Sequence, residues 1–336
     1  MVVSAANSTQ ATVAAKAKAE SGDTGAGVSI ALNIAGNNAT RALVEGTLTG
    51  GQDVTLSATG SHKLDTLAEG GGKAGAAGGT GIGGALALTV AVNNDTEARV
   101  GADLTGLEIG GALSVTADHH GVASTRADGK AVGDEAAVGV ALALSFVDDS
   151  ASARLDRDVT AGGAVSIAAR GDGSSEAKGV ASAAGADTSK EKNADGTTKS
   201  AEDQAKSATG LAKTQSGDSD LKIGKTASTD DGDTGTEEDG AVSVGAALGL
   251  NVAWSAAQAS IGDVTITAGK AVTLRSENNM DAIAIGDGSA ASNKDDATAV
   301  GIGIAINVAF MDNSATVGSG ATIDAEGFKA DRKAHV

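Results

Sequence analysis

Histidine and acidic side chains are the residues of this sequence that could carry acid–base or metal chemistry. The 336-residue chain contains four histidines, His62, His119, His120 and His335, and no cysteine. In an extended strand the neighbours His119 and His120 would point to opposite faces, which is poor geometry for holding one metal ion. The sequence therefore favours a solvent-exposed turn at this pair over a zinc site.

Acidic residues cluster at 230–233, 237–239 and 295–296. Calcium needs several oxygens converging on one point, and the chain lacks both the EF-hand spacing and the glycine-rich nonapeptide that supply them. We interpret these clusters as solvated charge runs, with weak Ca²⁺ association as the alternative. The motifs of zinc proteases, serine hydrolases and phosphate loops are also missing. We predict that the chain is not an enzyme and has no catalytic, cofactor-binding or metal-binding residues.

Composition and charge exclude two classes of partner. The formal net charge is −18, from 25 Lys and Arg against 43 Asp and Glu, so the surface repels phosphate backbones and nucleic acid is not expected to bind. The longest apolar run, 300–311, is too short for a membrane helix, and residues 1–10 lack a signal-peptide pattern. We therefore expect no membrane insertion. With one Trp, three Phe and no Tyr, the core must consist of Val, Ile, Leu and Ala.

An internal repeat of 56 residues is the strongest pattern in the sequence. A short apolar motif with one polar residue reads Ile30-Ala-Leu-Asn-Ile34 in its first copy and Ile304-Ala-Ile-Asn-Val308 in its last. Its polar member falls at positions 33, 89, 145, 251 and 307, in steps of 56, 56, 106 and 56, so the third step contains an insertion of 50 residues. A unit that buries its apolar residues only against copies of itself is typical of a solenoid.

Large and small residues alternate along each motif with the period of a β-strand. We expect the large side chains to fill the core, which in the first copy are Val28, Ile30, Leu32 and Ile34. The opposite face carries Ser29, Ala31 and Asn33 and is flat enough to lie against a second sheet. Trp254 is in phase with the large face of its own copy and is predicted to be buried with it.

Stacking of the copies in register would place equivalent residues in columns. An apolar column would contain Ile34, Val90, Phe146, Val252 and Val308, and a polar one Asn33, Thr89, Ser145, Asn251 and Asn307. We therefore predict an all-β fold, an elongated parallel β-solenoid (β-helix) of about five repeats. The alternative is an antiparallel β-meander rod with tight hairpin turns at 37–38, 93–94, 148–149 and 312–313.

The repeats divide the chain into two solenoid segments and one insertion. The first segment spans 1–185, with a partial unit near 1–25 and units near 26–79, 80–135 and 136–185. Residues 186–240 form a polar, low-complexity insertion, expected to be disordered because it has almost no large apolar residues. The second segment spans 241–336, with units near 241–297 and 298–336, of which the last is partial.

A family resemblance rests on three segments. Residues 300–308 form a glycine-rich strand that ends in Asn-Val, 311–318 contain an Asn/Asp turn, and 159–167 read Val-Thr-Ala-Gly-Gly-Ala-Val-Ser-Ile. This succession resembles the repeats of giant bacterial exoproteins, the leukotoxin-family filamentous adhesins and filamentous-haemagglutinin-like proteins. The resemblance covers nearly all of the chain outside 186–240; that insertion and the basic ending 329–333 depart from it. It implies a fibrous β-solenoid segment that is extracellular or on the bacterial cell surface.

The expected function is structural and adhesive: a stiff spacer and surface-display rod without catalysis. The expected partners are neighbouring repeats of the same long chain and surface molecules of a host or neighbouring cell, with end-to-end self-association through open strand edges. The alternative is a glycan-binding or polysaccharide-cleaving β-helix. A concave groove with clustered acidic and basic groups would favour that alternative, whereas a featureless rod would favour the spacer.

Overall fold

The computed structural model describes residues 1–48, 50–103, 105–185, 241–292 and 297–335. Sheet A consists of β1 (Val2–Ser21), β3 (Val54–Ala74), β6 (Leu113–Gly133), β9 (Val165–Gly185), β12 (Val272–Ser292) and β15 (Phe328–His335). Sheet B consists of β2 (Thr24–Val44), β4 (Thr80–Val100), β7 (Ala136–Leu155), β10 (Val242–Ile261) and β13 (Thr298–Val317). Sheet C consists of β5 (Leu107–Ile109), β8 (Val159–Ala161), β11 (Thr265–Ala268) and β14 (Thr322–Asp324).

Two sequence-based expectations concern parts of the chain that these ranges leave out. The predicted insertion at 186–240 and the three acidic clusters lie outside the described residues. Within the described ranges, no helix has the length and hydrophobicity needed to cross a membrane.

All strand pairs are parallel, and each strand pairs with its equivalent in the next repeat. The prediction of a parallel β-solenoid is confirmed, and the antiparallel meander is wrong. The four proposed hairpin turns, at 37–38, 93–94, 148–149 and 312–313, lie inside β2, β4, β7 and β13. Asn37 and Asn93 have φ of 59° and 57°, so each bulges its strand without reversing it.

Each coil of the solenoid contains two long strands. A tight turn, such as 75–79, joins the end of a sheet A strand to the start of a sheet B strand. The chain then returns to sheet A, and in four of the five returns the connecting segment contains a short strand of sheet C; the described residues between β2 and β3 contain none. A strand of 21 residues extends roughly 70 Å, whereas one coil advances the stack by only about 4.8 Å. Each repeat therefore adds little axial length and much lateral surface.

The predicted columns are present. The registers align Ile34 with Val90, Phe146, Val252 and Val308, and Asn33 with Thr89, Ser145, Asn251 and Asn307. Leu32 lies opposite Leu88, as repeat-on-repeat stacking requires. The 56-residue spacing is therefore the length of one coil, and apolar residues stack on apolar residues and polar on polar along the axis.

The predicted assignment of faces is wrong. Ile30 and Ile34 are 59% and 70% exposed, whereas Ala31 and Asn33 on the opposite face are buried. Trp254, predicted to be a core residue, is 40% exposed. The small residues face inward because sheets A and B lie directly against each other, and a strand has only two faces, so the large residues of sheet B must point outward. We call the outward columns that begin at Val28, Ile30, Leu32 and Ile34 the outer apolar face.

Most of the large apolar side chains that are buried lie at one end of each coil, where sheet C separates sheets A and B; Leu64 and Met280 are buried further along the coil. Beside sheet C, Leu56 and Val115 of sheet A pack with Leu155 of sheet B and Ile266 of sheet C in one continuous cluster. Complete burial of such a side chain contributes roughly 1.5–3 kcal/mol. We call this the wide end; the opposite end, at the tight turns, is the narrow end.

Arg157 closes a corner of the wide end and is 1% exposed. Its guanidinium donates to the carbonyl oxygens of Gly101 at 2.9 Å, Gly46 at 2.7 Å and Glu45 at 3.1 Å. The Asp103 carboxylate lies 3.8 Å away and supplies a partial counter-charge. One side chain therefore bonds the turns of two earlier coils.

At the narrow end the two sheets are so close that the inward positions are glycine, alanine or, at Ser243, serine. A Cβ on Gly70 would lie 1.7 Å from the Gly84 carbonyl oxygen, and one on Gly72 would lie 2.0 Å from that of Ile82. Gly71, between them, points outward, and its nearest neighbour would be the Ala17 carbonyl oxygen at 3.7 Å. Consecutive glycines of one strand therefore differ in what they tolerate.

We predict that Gly70→Ala destabilises the protein and that Gly71→Ala does not. The first methyl group requires the sheets to separate, a form of overpacking that costs about 1–3 kcal/mol. The second fills open space and lowers the entropy of the unfolded chain, so it should be neutral or stabilising. Urea denaturation of both variants measures the difference. Equal free energies of unfolding would show that the sheets are not in close contact at this end.

Candidate functional site

A column of polar side chains runs along the solenoid between sheets A and B. Asn251 donates to the Asn307 side chain at 3.0 Å and to the Ser175 carbonyl oxygen at 3.1 Å, and it accepts from the Ser175 hydroxyl at 2.6 Å. The Thr89 hydroxyl lies 2.7 Å from that of Thr66 on the facing sheet. The column therefore bonds across to sheet A as well as along the stack, which satisfies polar groups that are buried.

Three titratable side chains meet in the interior, between the polar column and the wide end. His62 is on β3, His119 is on β6 and Asp149 is on β7, so the group joins both sheets. The register pairs His62 with Gly121 and His119 with Gly60, which places a glycine beside each imidazole. A Cβ on Gly121 would lie 2.3 Å from Asp149 Oδ2 and 2.6 Å from the His62 ring. The glycines therefore provide the space that the rings and the carboxylate fill. We call the three residues the His–His–Asp cluster.

The nitrogen and oxygen atoms of the His–His–Asp cluster converge. His62 Nε2 lies 3.3 Å and His119 Nε2 lies 3.5 Å from Asp149 Oδ1, and the ring centroids are 5.2 Å apart. All three side chains are at most 5% exposed. Neither contact is aligned as a hydrogen bond: both ring nitrogens of His62 and Nε2 of His119 lack a hydrogen-bond partner among the described residues. Buried polar atoms without partners are rare.

Neighbouring side chains hold the cluster in place. The Thr96 hydroxyl lies 2.8 Å from His119 Nδ1, which directs the opposite nitrogen, Nε2, towards the carboxylate. Asn94 donates to Asp149 Oδ1 at 2.9 Å and accepts from Asn38 at 2.8 Å. Such contacts restrict the orientation of the groups they bond.

Burial controls the charge of the cluster. Desolvation lowers the pKa of His62 from its ordinary 6.5; the Asp149 carboxylate opposes this effect, and the His119 ring adds to it. Burial also raises the pKa of the neighbouring Asp148, as do the charges of Asp149 and Asp95. Among the described residues, the ion-pair contacts of Asp149 come from the two imidazoles. A buried carboxylate needs a positive partner, and a neutral His62 does not provide one.

The solvent-exposed turn predicted at His119 and His120 is wrong. They lie in β6 rather than in an exposed turn, and they do point to opposite faces: His119 is buried, and His120 pairs with Asp172 at 3.2 Å on the surface. The relevant partner of His119 is His62, 57 residues earlier. Alignment of the second long strand of each repeat could have shown that His62 and His119 lie on the same face of sheet A. Asp149 comes from the facing sheet, and no spacing within one sheet reveals that contact.

The remaining histidine and Trp254 lie elsewhere. His335 ends β15 and is remote in the fold from β3, β6 and β7. Trp254 stacks on Phe310 with ring centroids 5.5 Å apart and planes inclined by 12°, beside the outer apolar face. An exposed aromatic pair is therefore present where the sequence predicted a core residue.

A concave groove of about 590 Å³ crosses the outside of sheet A near the narrow end. Its residues come from β1, β3, β6, β9 and β12, and they include Lys16, Lys18, Lys73, Lys130, Glu69 and Asp128. Three carboxylates of the groove form ion pairs: Glu69 with Lys16 at 2.8 Å, Glu20 with Lys18 at 3.3 Å, and Asp128 with Arg126, which lies outside the lining, at 3.0 Å. The groove therefore combines acidic and basic groups, some of them paired with one another.

No protein-family model, curated protein or solved structure matches the chain.

We predict that the fold loses stability as the pH falls through 6.5 because of His62. Its pKa is lower in the folded chain, so between the two pKa values the unfolded chain binds more protons and unfolding becomes easier. The contribution of His62 to the free energy of unfolding is fully present above pH 6.5. Below that pH it decreases by at most about 1.4 kcal/mol per pH unit. Urea denaturation between pH 7.5 and 5, in the presence of a chelator, measures it.

His62→Gln should remove this part of the pH dependence. His120→Gln changes an exposed ring whose charge has the smallest effect on the pKa of His62, so it should retain most of it. Asp118 and Asp148 have pKa values raised by burial, so their protonation acts in the opposite direction, and at lower pH. The difference between the wild-type and His62→Gln curves isolates the imidazole. An identical slope in both proteins would contradict the prediction.

Proposed function

We propose that the chain is a structural and adhesive segment of a large fibrous protein, secreted by a bacterium or displayed on its surface. In this proposal it acts as a stiff spacer and display surface and has no catalytic activity. The observation that carries it is the register: each 56-residue unit pairs residue for residue with the next along strands of about twenty residues. The resemblance to repeats of filamentous adhesins supports the same function.

The physical basis for stiffness is the density of bonding between coils. Each central long strand is bonded along its length to equivalent strands on both sides, and the polar column and Arg157 add side-chain bonds between coils. Bending the stack would strain many of these bonds together, which is how repeat stacks resist deformation.

The basis for adhesion is the surface that the coils present. The outer apolar face extends across the five strands of sheet B and spans roughly 20 Å by 20 Å. Exposed apolar areas of about 400 Å² mark interaction surfaces more often than chance positions do. This face and the exposed Trp254–Phe310 pair are the surfaces we propose for contact with other cells or with other copies of the fibre.

The spacer proposal predicts that a whole unit can be removed without loss of the fold. Deletion of 242–297 joins Ala241 to Thr298, and because Val242 and Thr298 occupy equivalent positions, the remaining coils stay in register. Deletion of 242–269 is the matched control, because it removes β10 and β11 but retains β12. We expect circular dichroism and cooperative unfolding to persist only in the first variant.

The location is tested in the producing bacterium with the full parent protein. We expect an antibody against this segment to label intact cells or shed fibres, both for the complete protein and for the version that lacks 242–297. Adhesion should decrease in proportion to the surface removed. Antigen confined to the cytoplasm, or unfolding of the one-unit deletion, would overturn the proposal.

A second candidate, a glycan-binding solenoid, is favoured by the groove on sheet A. A concave surface with Lys18 and Lys130 beside carboxylates suits an acidic polysaccharide better than the rest of this acidic surface does. We expect Lys130→Ala to reduce any binding of a soluble acidic polysaccharide at least about tenfold, a loss of about 1.4 kcal/mol. Lys329→Ala, remote in the fold on β15, is the control. Polysaccharide depolymerisation with turnover would show that the chain is an enzyme and overturn the non-catalytic proposal.

A further inference from the structure

The spacing of the His–His–Asp cluster matches the ligand shell of a small divalent cation. Zinc bonds imidazole nitrogen and carboxylate oxygen at about 2.0–2.1 Å, so two ligands of a tetrahedral site lie about 3.3–3.4 Å apart. The two distances from imidazole Nε2 to Asp149 Oδ1 are 3.3 and 3.5 Å. All three ligand atoms lie within 4.8 Å of one another. Both N–O separations therefore match a tetrahedral shell, and the separation between the two imidazole nitrogens is at most 4.8 Å.

The orientation of the rings favours an ion over direct hydrogen bonds. An imidazole N–H that donated to Asp149 would be aligned with the oxygen, but His62 Nε2 and His119 Nε2 are not. The Thr96 hydroxyl lies 2.8 Å from His119 Nδ1, and in the tautomer in which Nδ1–H donates to Thr96 the Nε2 lone pair is available to an ion. Two imidazole nitrogens without hydrogen-bond partners beside a carboxylate form a donor set that a metal can use.

The charge of the cluster also favours a bound cation. Asp149 is buried, and the described residues close to it offer two imidazoles and the Asn94 amide but no Lys or Arg. A divalent cation would compensate the carboxylate without requiring a buried imidazole to take up a proton. With two nitrogen ligands and one oxygen ligand and no cysteine in the chain, the donor set suits Zn²⁺ and related first-row ions rather than Ca²⁺ or Mg²⁺.

We propose that His62, His119 and Asp149 bind one Zn²⁺ ion between sheets A and B, with water or the second Asp149 oxygen as the fourth ligand. The three residues come from three successive coils, so the ion ties those coils together as well as the two sheets. The site is enclosed between the sheets and all three ligands are buried, which leaves a substrate no access. The role of the ion is therefore structural. Thr96 and Asn94 are its positioning residues.

The test uses the full chain without a histidine tag, treated with a chelator and dialysed. We expect calorimetric titration with ZnSO₄ to give one ion per chain, and saturating Zn²⁺ to raise the Tm by about 5 °C. Cobalt substitution should give the intense visible absorption of a tetrahedral site with nitrogen ligands. A weak octahedral spectrum, or binding well below one ion per chain, would show that the cluster is a polar core without a metal.

Variants assign the ligands. His62→Gln, His119→Gln and Asp149→Asn should each weaken Zn²⁺ binding at least about 100-fold, and Thr96→Val about 10–100-fold. His120→Gln, which changes the adjacent surface histidine, should bind as the wild type does. Circular dichroism of each metal-free variant shows whether it folds. If the ligand variants do not fold, the cobalt spectrum of the wild type and the Zn²⁺ affinity of Thr96→Val test the metal site instead. Zn²⁺ binding that is unchanged in all ligand variants, or lost in His120→Gln, would overturn the assignment.

Discussion

The close contact between sheets A and B is the constraint on which the rest of the structure depends. At the narrow end an inward Cβ on Gly70 or Gly72 would overlap a backbone carbonyl oxygen of the facing sheet. Inward positions there are glycine, alanine or serine, and further along most are Ala, Ser, Thr and Asn. Large apolar side chains are therefore rare in the interior away from sheet C; among the described residues, Leu64 and Met280 are the largest that are buried there. The high glycine content and the scarcity of aromatic residues follow from this geometry.

The same constraint explains the outer apolar face. Residues of a strand alternate between two faces, and the inner face of sheet B is restricted to small side chains, so Ile30 and Leu32 must point to the outside. Such side chains partly cover one another when they stack in columns. The equivalents of Ile30 on the three central strands are partly buried, whereas Ile30 itself and Ile304, on the outermost strands, are exposed. Stacking of coils therefore buries apolar surface without a second layer, which is a further reason for strict 56-residue periodicity.

The sequence was sufficient for the topology but not for the faces. A fixed step between equivalent residues such as Asn33 and Asn251 predicts which residues stack, because register follows from spacing alone. Which face is buried depends on the distance between two sheets, and large residues on one face and small ones on the other are compatible with either answer. The assignment of Trp254 to the core failed for this reason. The His–His–Asp cluster was missed because Asp149 reaches it from the facing sheet, a contact that periodicity does not encode.

The position of the cluster follows from the taper of each coil. Towards the narrow end the sheets are too close for an imidazole, and at the wide end the space is filled by side chains such as Leu56 and Val115. Between them, next to the bulge at Asn93, the gap admits a ring only where the neighbouring strand carries glycine, as Gly60 and Gly121 do. Polar side chains placed there must be satisfied within the protein. Asn and Thr achieve this with hydrogen bonds, whereas two imidazoles and a carboxylate leave lone pairs that only a proton or a cation can satisfy.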